Sequence, residues 1–365
     1  MKAVILSLRG PTSYNVRGGS RDYIYHFSRA LSVKAGIDVE IISASEEKKG
    51  ITSNEKLDNV LITRIKKNIL HIFNLNFLFR KKISKNTFNC ENIVSYPMLT
   101  PLFCRLNMAI VHHLPGRSLF RSHGFVAGVI GVTLEYVFLP IVYRRVQFIA
   151  VSPFTKNQLI KRGIRESKIR IIPPGVDNYC SVFPQKSNTP QLFFIGRFNV
   201  NDQNKRVDHI IDAFLLLERK FPNLRLYIAG DVRLNSEYLE KIKNKSVELL
   251  GFISDEEKIE LYQKSWVYVS PSLLEGFGMT WIEANACFTP SVAYEINGLN
   301  TIKNGISGFV VKKNDILSLA KAIERLIEDD NLRYEMSINS FHASREYLWD
   351  KVEKEFVDTV ERGGE

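Results

Sequence analysis

The segment Glu275-Gly276-Phe277-Gly278-Met279-Thr280-Trp281-Ile282-Glu283 places two carboxylates on either side of a Gly-Phe-Gly turn. That combination can hold a phosphorylated sugar. Trp266-Val267-Tyr268-Val269-Ser270 reads as a strand and Ile282 to Cys287 as a buried helix face, so the glycines fall at a strand-to-helix crossing. There a ligand can approach the backbone closely. The unpaired N–H groups of the helix's first turn, together with its dipole, favour an anion such as a diphosphate. Glu275, just before the turn, is placed to accept hydrogen bonds from a sugar, and Glu283, about two turns into the helix, to reach a ribose diol. The plain alternative is a strand-loop-helix with two solvated glutamates.

Further groups suit the same chemistry. Gly196 and Arg197 follow the strand Leu192-Phe193-Phe194-Ile195, and Lys205 comes shortly after. A diphosphate leaving group gains charge as its sugar bond breaks, and cations aimed at it stabilise the transition state more than the ground state. Read plainly, they are two surface cations. His112 and His113 end the strand Met108-Ala109-Ile110-Val111, where a ring can hydrogen-bond a sugar or position an acceptor hydroxyl, or simply be satisfied by loop backbone. Arg17-Gly18-Gly19-Ser20 lies between the first strand and a helix beginning near Arg21, which alone is a weak signal for more than a turn. The preceding Pro11, Thr12, Ser13, Tyr14 and Asn15 are available to meet an acceptor.

Taken in order with Pro173-Pro174-Gly175-Val176-Asp177 and Asn304-Gly305-Ile306-Ser307-Gly308-Phe309-Val310, these segments resemble the family 4 glycosyltransferases of the GT-B fold. These are retaining enzymes that use nucleotide-sugar donors. The resemblance is strongest from about Phe193 to Val311. Glu275 and Glu283 match the family's E-x7-E pattern, and Gly196, Arg197 and Lys205 its Gly-Arg and downstream Lys. His112 matches the family's histidine at a strand end, and Gly18-Gly19 its glycine loop over the donor sugar and phosphate. Ala286-Cys287-Phe288-Thr289-Pro290-Ser291-Val292-Ala293 resembles a further family strand entry. The chain departs from the pattern by a longer Phe198 to Asn204 loop, by Arg206 and Phe288 where glycine is usual, and by Asn300 where Glu is common. The longer loop leaves two candidates, Lys205 and Arg206, for the diphosphate contact.

Short apolar strands alternate with helical patterns: Ala3 to Leu8, Val39 to Ser43, Ile93 to Tyr96, Ala109 to His112 and Phe148 to Val151, then Leu192 to Ile195, Leu226 to Ala229, Val247 to Leu250, Trp266 to Val269 and Ser291 to Tyr294. That alternation predicts an α/β chain of two doubly wound Rossmann-like domains with a cleft beyond their strand ends. Paired prolines at Pro173-Pro174 mark the hinge. The expected domains are 1-175, acceptor-binding, and 176-342, nucleotide-sugar-binding. By the resemblance, a terminal helix within 343-365 crosses back to the first domain.

At 365 residues with 45% apolar content, the chain can bury two cores. Cys90, Cys104, Cys180 and Cys287 are scattered, which suggests reduced thiols and neither a zinc site nor a disulfide framework. The first residues read as a buried strand rather than a signal peptide, so the expected location is cytoplasmic. The net charge of +11 draws anions. No acidic residue lies between Asp58 and Glu91, whereas Arg64, Lys66, Lys67, Arg80, Lys81, Lys82 and Lys85 share that window with Phe73, Phe77 and Phe79. Such a basic amphipathic stretch can lie on the cytoplasmic face of an acidic membrane, or be a core helix with solvated ends. The apolar run Phe125 to Tyr143 is interrupted by Glu135 and Pro140 and is expected to be a long buried helix, kinked or ended near Pro140.

The expected activity is transfer of a hexose from a UDP- or GDP-sugar to a hydroxyl of a glycan or lipid-linked glycan. No cofactor is expected. No two aspartates stand two apart, so the Asp-x-Asp metal motif of another transferase fold is missing, and Arg197 and Lys205 are expected to do a metal's work. A nucleotide-sugar 2-epimerase is the rival within the fold. A noncatalytic basic nucleic-acid-binding protein is the rival outside it, although it leaves the motifs unexplained, and no nucleic-acid partner is expected.

Overall fold

The computed structural model describes residues 2–11, 19–44, 53–65, 71–94, 96–116, 119–199, 203–296 and 301–362. The chain forms two compact units: Met1–Gly175 with Trp349–Glu365, and Val176–Leu348. The second unit thus extends to Leu348, past the expected 342, and the terminal helix Trp349–Arg362 is part of the first.

In the first unit, β1 (Lys2–Arg9), β2 (Asp38–Ala44), β3 (Ser53–Leu57), β4 (Val60–Ile65), β5 (Thr87–Ile93), β6 (Met108–Val111), β7 (Gln147–Ala150) and β8 (Ile169–Ile171) form one sheet. Their order is β3-β4-β2-β1-β5-β6-β7-β8, and every pair is parallel except β3 with β4. Central parallel strands are buried on both faces and read as near-continuous apolar runs, as Ala3-Val4-Ile5-Leu6 does.

The strand expected at Ile93–Tyr96 is instead β5, Thr87–Ile93, whose seven residues are all buried. Its polar sequence hides it. Glu91 accepts from Met98 N at 2.7 Å and from Tyr143 Oη at 2.7 Å, and Asn89 Nδ2 donates to Arg105 O at 3.1 Å. Polar side chains hydrogen-bonded in this way can sit in a central strand.

The run Phe125 to Tyr143 is also not what its sequence suggests. It is helical, but Phe125, Val126 and Ile141 are 76%, 71% and 63% exposed, so the expected buried helix is an exposed one. In the basic window, the helix His71–Lys82 buries Leu75 and Phe79 and exposes Phe73 and Phe77, while residues 66–70 lie outside the described residues.

In the second unit, β9 (Gln191–Ile195), β11 (Arg225–Ala229), β13 (Val247–Gly251), β14 (Val267–Val269), β15 (Ser291–Tyr294) and β16 (Gly308–Val311) form a parallel sheet, with β10 (Phe198–Asn199) and β12 (Val232–Arg233) paired separately. The order β13-β11-β9-β14-β15-β16 has the first strand, β9, at its centre. The chain winds outward to one side through β11 and β13, then returns to β14 and winds the other way. The reversal leaves a crevice between β9 and β14 at the strands' carboxyl ends, where open α/β sheets bind ligands. The amphipathic helices Val207–Leu217 and Ile316–Glu328 bury Ile210, Phe214, Leu319 and Ile323 against one face of this sheet.

Candidate functional site

The crevice of the second unit is bordered by Gly196 and Arg197 after β9 and by the loop from Ser270 to Gly278 after β14. Two hydrogen bonds stitch the second border to the segment after β10: Leu273 N donates to Asn204 O at 2.8 Å, and the Asn204 side-chain Nδ2 donates to Leu274 O at 2.8 Å. This pairing brings Lys205 and Glu275 into a salt bridge with both side chains about one-fifth exposed. Arg206 turns elsewhere, to Asp208 at 2.7 Å. Lys205 is therefore the cation placed at Glu275. Arg197 is exposed and makes no ion pair among the described residues.

Gly278 is the N-cap of the helix Met279–Ala286, with φ 90° and no side-chain cap. A Cβ there would lie 2.0 Å from the Trp281 ring, so the turn requires glycine. The uncapped first turn, which includes Met279 and Thr280, leaves N–H donors for an anion. Gly276 precedes Phe277, which is buried against Tyr347 with ring centroids 5.5 Å apart.

Glu283, on the same helix, is not a solvated glutamate. Lys258 Nζ lies 3.0 Å from its Oε1 and Tyr262 Oη 3.1 Å from its Oε2. Neither partner was among the residues singled out above. A signal for them existed: Lys258 and Tyr262 are spaced i, i+4 on the helix Asp255–Lys264 and so share a face.

The two departures from the family's glycines also have a geometry. Arg206 and Phe288 both adopt left-handed backbone, φ 49° and 56°. Glycine takes that conformation at little cost, and other residues need compensation. Phe288 stacks on Phe341 at 3.9 Å with an interplanar angle of 9°, and Arg206 gains Asp208.

In the first unit, His112 follows β6 and its ring reaches Asn92 of β5. Ser7 Oγ donates to Arg9 O at 2.6 Å and therefore accepts from Asn92 Nδ2 at 2.9 Å. That fixes the Asn92 amide with Oδ1 toward His112 Nε2, at 2.8 Å, so Nε2 carries the proton and Nδ1 keeps a lone pair. Burial pushes the imidazole pKa down to about 3, and the ring stays neutral. Tyr23 meets it edge-on at 5.1 Å. Gly19 opens the helix Gly19–Arg29. Gly18, Arg17, Thr12 to Asn15 and Asn300 lie outside the described residues.

Two family profiles match consecutive parts of the chain: Glycosyltransferase Family 4 over residues 17–178 and Glycosyl transferases group 1 over residues 179–342. The chain belongs to glycosyltransferase family 4. Among curated members, it is 28% identical over 228 residues to the capsular polysaccharide biosynthesis glycosyltransferase CapM of Staphylococcus aureus, a match over 56% of this chain and 60% of that one. It is 24% identical over 259 residues to the N,N'-diacetylbacillosaminyl-diphospho-undecaprenol alpha-1,3-N-acetylgalactosaminyltransferase of Campylobacter jejuni, over 67% and 68% of the two chains. For the first curated relatives, the match spans only 48% to 60% of their own length. Among solved structures, HepE of Anabaena in complex with UDP and glucose superposes with a TM-score of 0.75 at 15% identity, covering 99% of this chain and 100% of that one. The fold of this family 4 member is GT-B, with parallel-sheet Rossmann-like domains.

Proposed function

We propose that the chain is a retaining, metal-independent glycosyltransferase that moves a hexose from a UDP- or GDP-sugar to a hydroxyl of a glycan or lipid-linked glycan. The observation that carries this reading is the set of groups around the β9/β14 crevice: the exposed Arg197, the Lys205–Glu275 salt bridge, the uncapped helix start at Gly278, and Glu283 held by Lys258 and Tyr262. In this reading the helix start and the cations hold the diphosphate. Glu283 takes the ribose diol through the lone pairs its two partners leave free. Glu275 holds the donor sugar, and its salt bridge orients it for that task.

As the glycosidic bond lengthens, negative charge grows on the departing diphosphate. Arg197 and Lys205 stabilise that charge, which gives the positive charge another transferase fold takes from a metal. His112, neutral with Nδ1 open, accepts a hydrogen bond from a sugar or acceptor hydroxyl and is not the source of a proton. Family membership, the nucleotide bound in HepE and the diphospho-undecaprenol in the Campylobacter enzyme's name support the donor and acceptor classes.

The test is incubation of the chain in EDTA with UDP-glucose, UDP-N-acetylglucosamine, UDP-galactose or GDP-mannose and a lipid extract. A new species heavier than an acceptor by one sugar, with the donor's anomeric configuration by NMR, supports the reading. A product with the donor's own mass indicates epimerisation, and an inverted anomer or a strict need for manganese refutes the mechanism.

A further inference from the structure

The exposed helical stretch of the first unit has no role in that chemistry. From a kink at Gly124 it runs through Thr133, continues with i to i+5 bonding over Leu134–Phe138, and ends with Leu139–Val142. Phe125, Val126, Ile130, Val137 and Ile141 are 76%, 71%, 55%, 48% and 63% exposed. The one acidic residue of Gly124–Val142 faces the protein. Glu135 is wholly buried, accepts from Arg162 Nε at 2.8 Å and Gly116 N at 2.9 Å, and leaves the outward face free of charge. Leu139 is also wholly buried, in the first unit's core.

A face this apolar and this long is unusual on a protein meant to meet only water. Its 19 residues, about 28 Å of helix, match the thickness of a bilayer's hydrocarbon. Lipid cannot surround it, however. Glu135 and Leu139 pin its inner side to the rest of the unit, so only one side is presented, the geometry of a helix lying in a membrane interface.

The far end supplies the charge. Pro140 and Tyr143, in and just after its last turn, line a cavity of about 280 Å³ together with Arg144, Arg145, Arg165 and Lys168. None of the four cations makes an ion pair among the described residues. Unpaired cations gathered beside an apolar face ask for an anionic occupant with an apolar body, which a second copy of the same face does not provide.

We infer that the helical face Phe125–Ile141 and the cationic cavity beside it form a docking surface for an anionic phospholipid bilayer. The apolar row enters the acyl boundary and the Arg144, Arg145, Arg165 and Lys168 cavity takes a lipid headgroup phosphate. Docking of this face is independent of which sugar is moved, and a chain inactive in transfer still binds.

The experiment is sedimentation of the full chain with vesicles of phosphatidylcholine, with and without phosphatidylglycerol. The wild type should pellet with the anionic vesicles and be released by salt. Val126→Asn/Ile130→Asn/Val137→Asn and, separately, Arg144→Glu/Arg145→Glu should each weaken that partition about tenfold or more. All altered side chains are exposed, and an unchanged far-UV circular dichroism spectrum confirms folding. If one variant fails to fold, the other still decides. Phe73→Ser/Phe77→Ser tests the other exposed aromatic pair. Loss of binding there, with retention in the first two variants, overturns the inference. So does failure of the wild type to pellet, or a lipid-free dimer by light scattering that the triple variant makes monomeric.

Discussion

Lys258 Nζ stands 3.0 Å from Glu283 Oε1 and 3.3 Å from Asp255 Oδ1, while Tyr262, one turn along the same helix, reaches the other oxygen of Glu283. Burial works against the Lys258 ammonium, but Glu283 and Asp255 outweigh it and hold its pKa above the ordinary lysine value. The carboxylate is therefore fixed in orientation before any ligand arrives. Preorganisation of this kind lowers the cost of binding.

Lys258→Met should raise the dissociation constant for the nucleoside diphosphate about five- to tenfold and change turnover far less, since it acts through Glu283. Isothermal titration calorimetry and steady-state kinetics on the same preparation separate the two. Equal losses in both would mean that Lys258 itself meets the reacting groups.

The sequence reading recovered the strand-to-helix glycines and the order of motifs because their signals are local. The second unit's strands Gln191–Ile195 and Ser291–Tyr294 fall where the apolar runs Leu192 to Ile195 and Ser291 to Tyr294 place them. What it missed depends on tertiary partners. β5 can be polar because Glu91, Asn89 Nδ2 and Asn92 hydrogen-bond to groups from other segments, so no periodicity marks it. The run from Phe125 looked like core because apolarity alone does not tell a buried helix from one facing outward. That Lys205 rather than Arg206 meets Glu275 follows from the bonds of Asn204 to the 273–274 backbone, a long-range pairing.

Gly278→Ala should destabilise the second unit by about 2–4 kcal/mol, because it adds left-handed strain to a clash with the buried Trp281 ring. Urea unfolding followed by tryptophan fluorescence checks this. A loss below about 0.5 kcal/mol would show that the turn tolerates a side chain.

Glu353 is fully buried in the first unit and pairs with His26 Nδ1 at 2.8 Å, Arg29 at 2.9 Å and Lys34 at 2.9 Å. Burial alone would raise its pKa, but His26, Lys34 and Arg29 overcome that and hold it at about 2. The folded value lies below the unfolded one, so the unfolded chain binds more protons between them. The contribution is complete above about pH 4.3 and is lost as pH falls toward 2. Glu353→Gln should be less stable than wild type by about 2 kcal/mol at pH 7, with the gap closing in acid. Denaturant midpoints at pH 7 and below pH 4 measure it, and a gap that persists unchanged in acid would contradict the assignment.

The central claim is that the β9/β14 crevice grips a nucleotide sugar without a metal. Calorimetric titration of UDP and GDP into the chain in EDTA, with wild type, Glu283→Ala and Arg197→Ala, tests it most directly. The account predicts that at least one nucleotide binds, that Glu283→Ala weakens it about tenfold or more, and that Arg197→Ala changes binding far less, its effect falling on the rate of transfer. Binding that appears only with a divalent cation, or that is unchanged in Glu283→Ala, would contradict it.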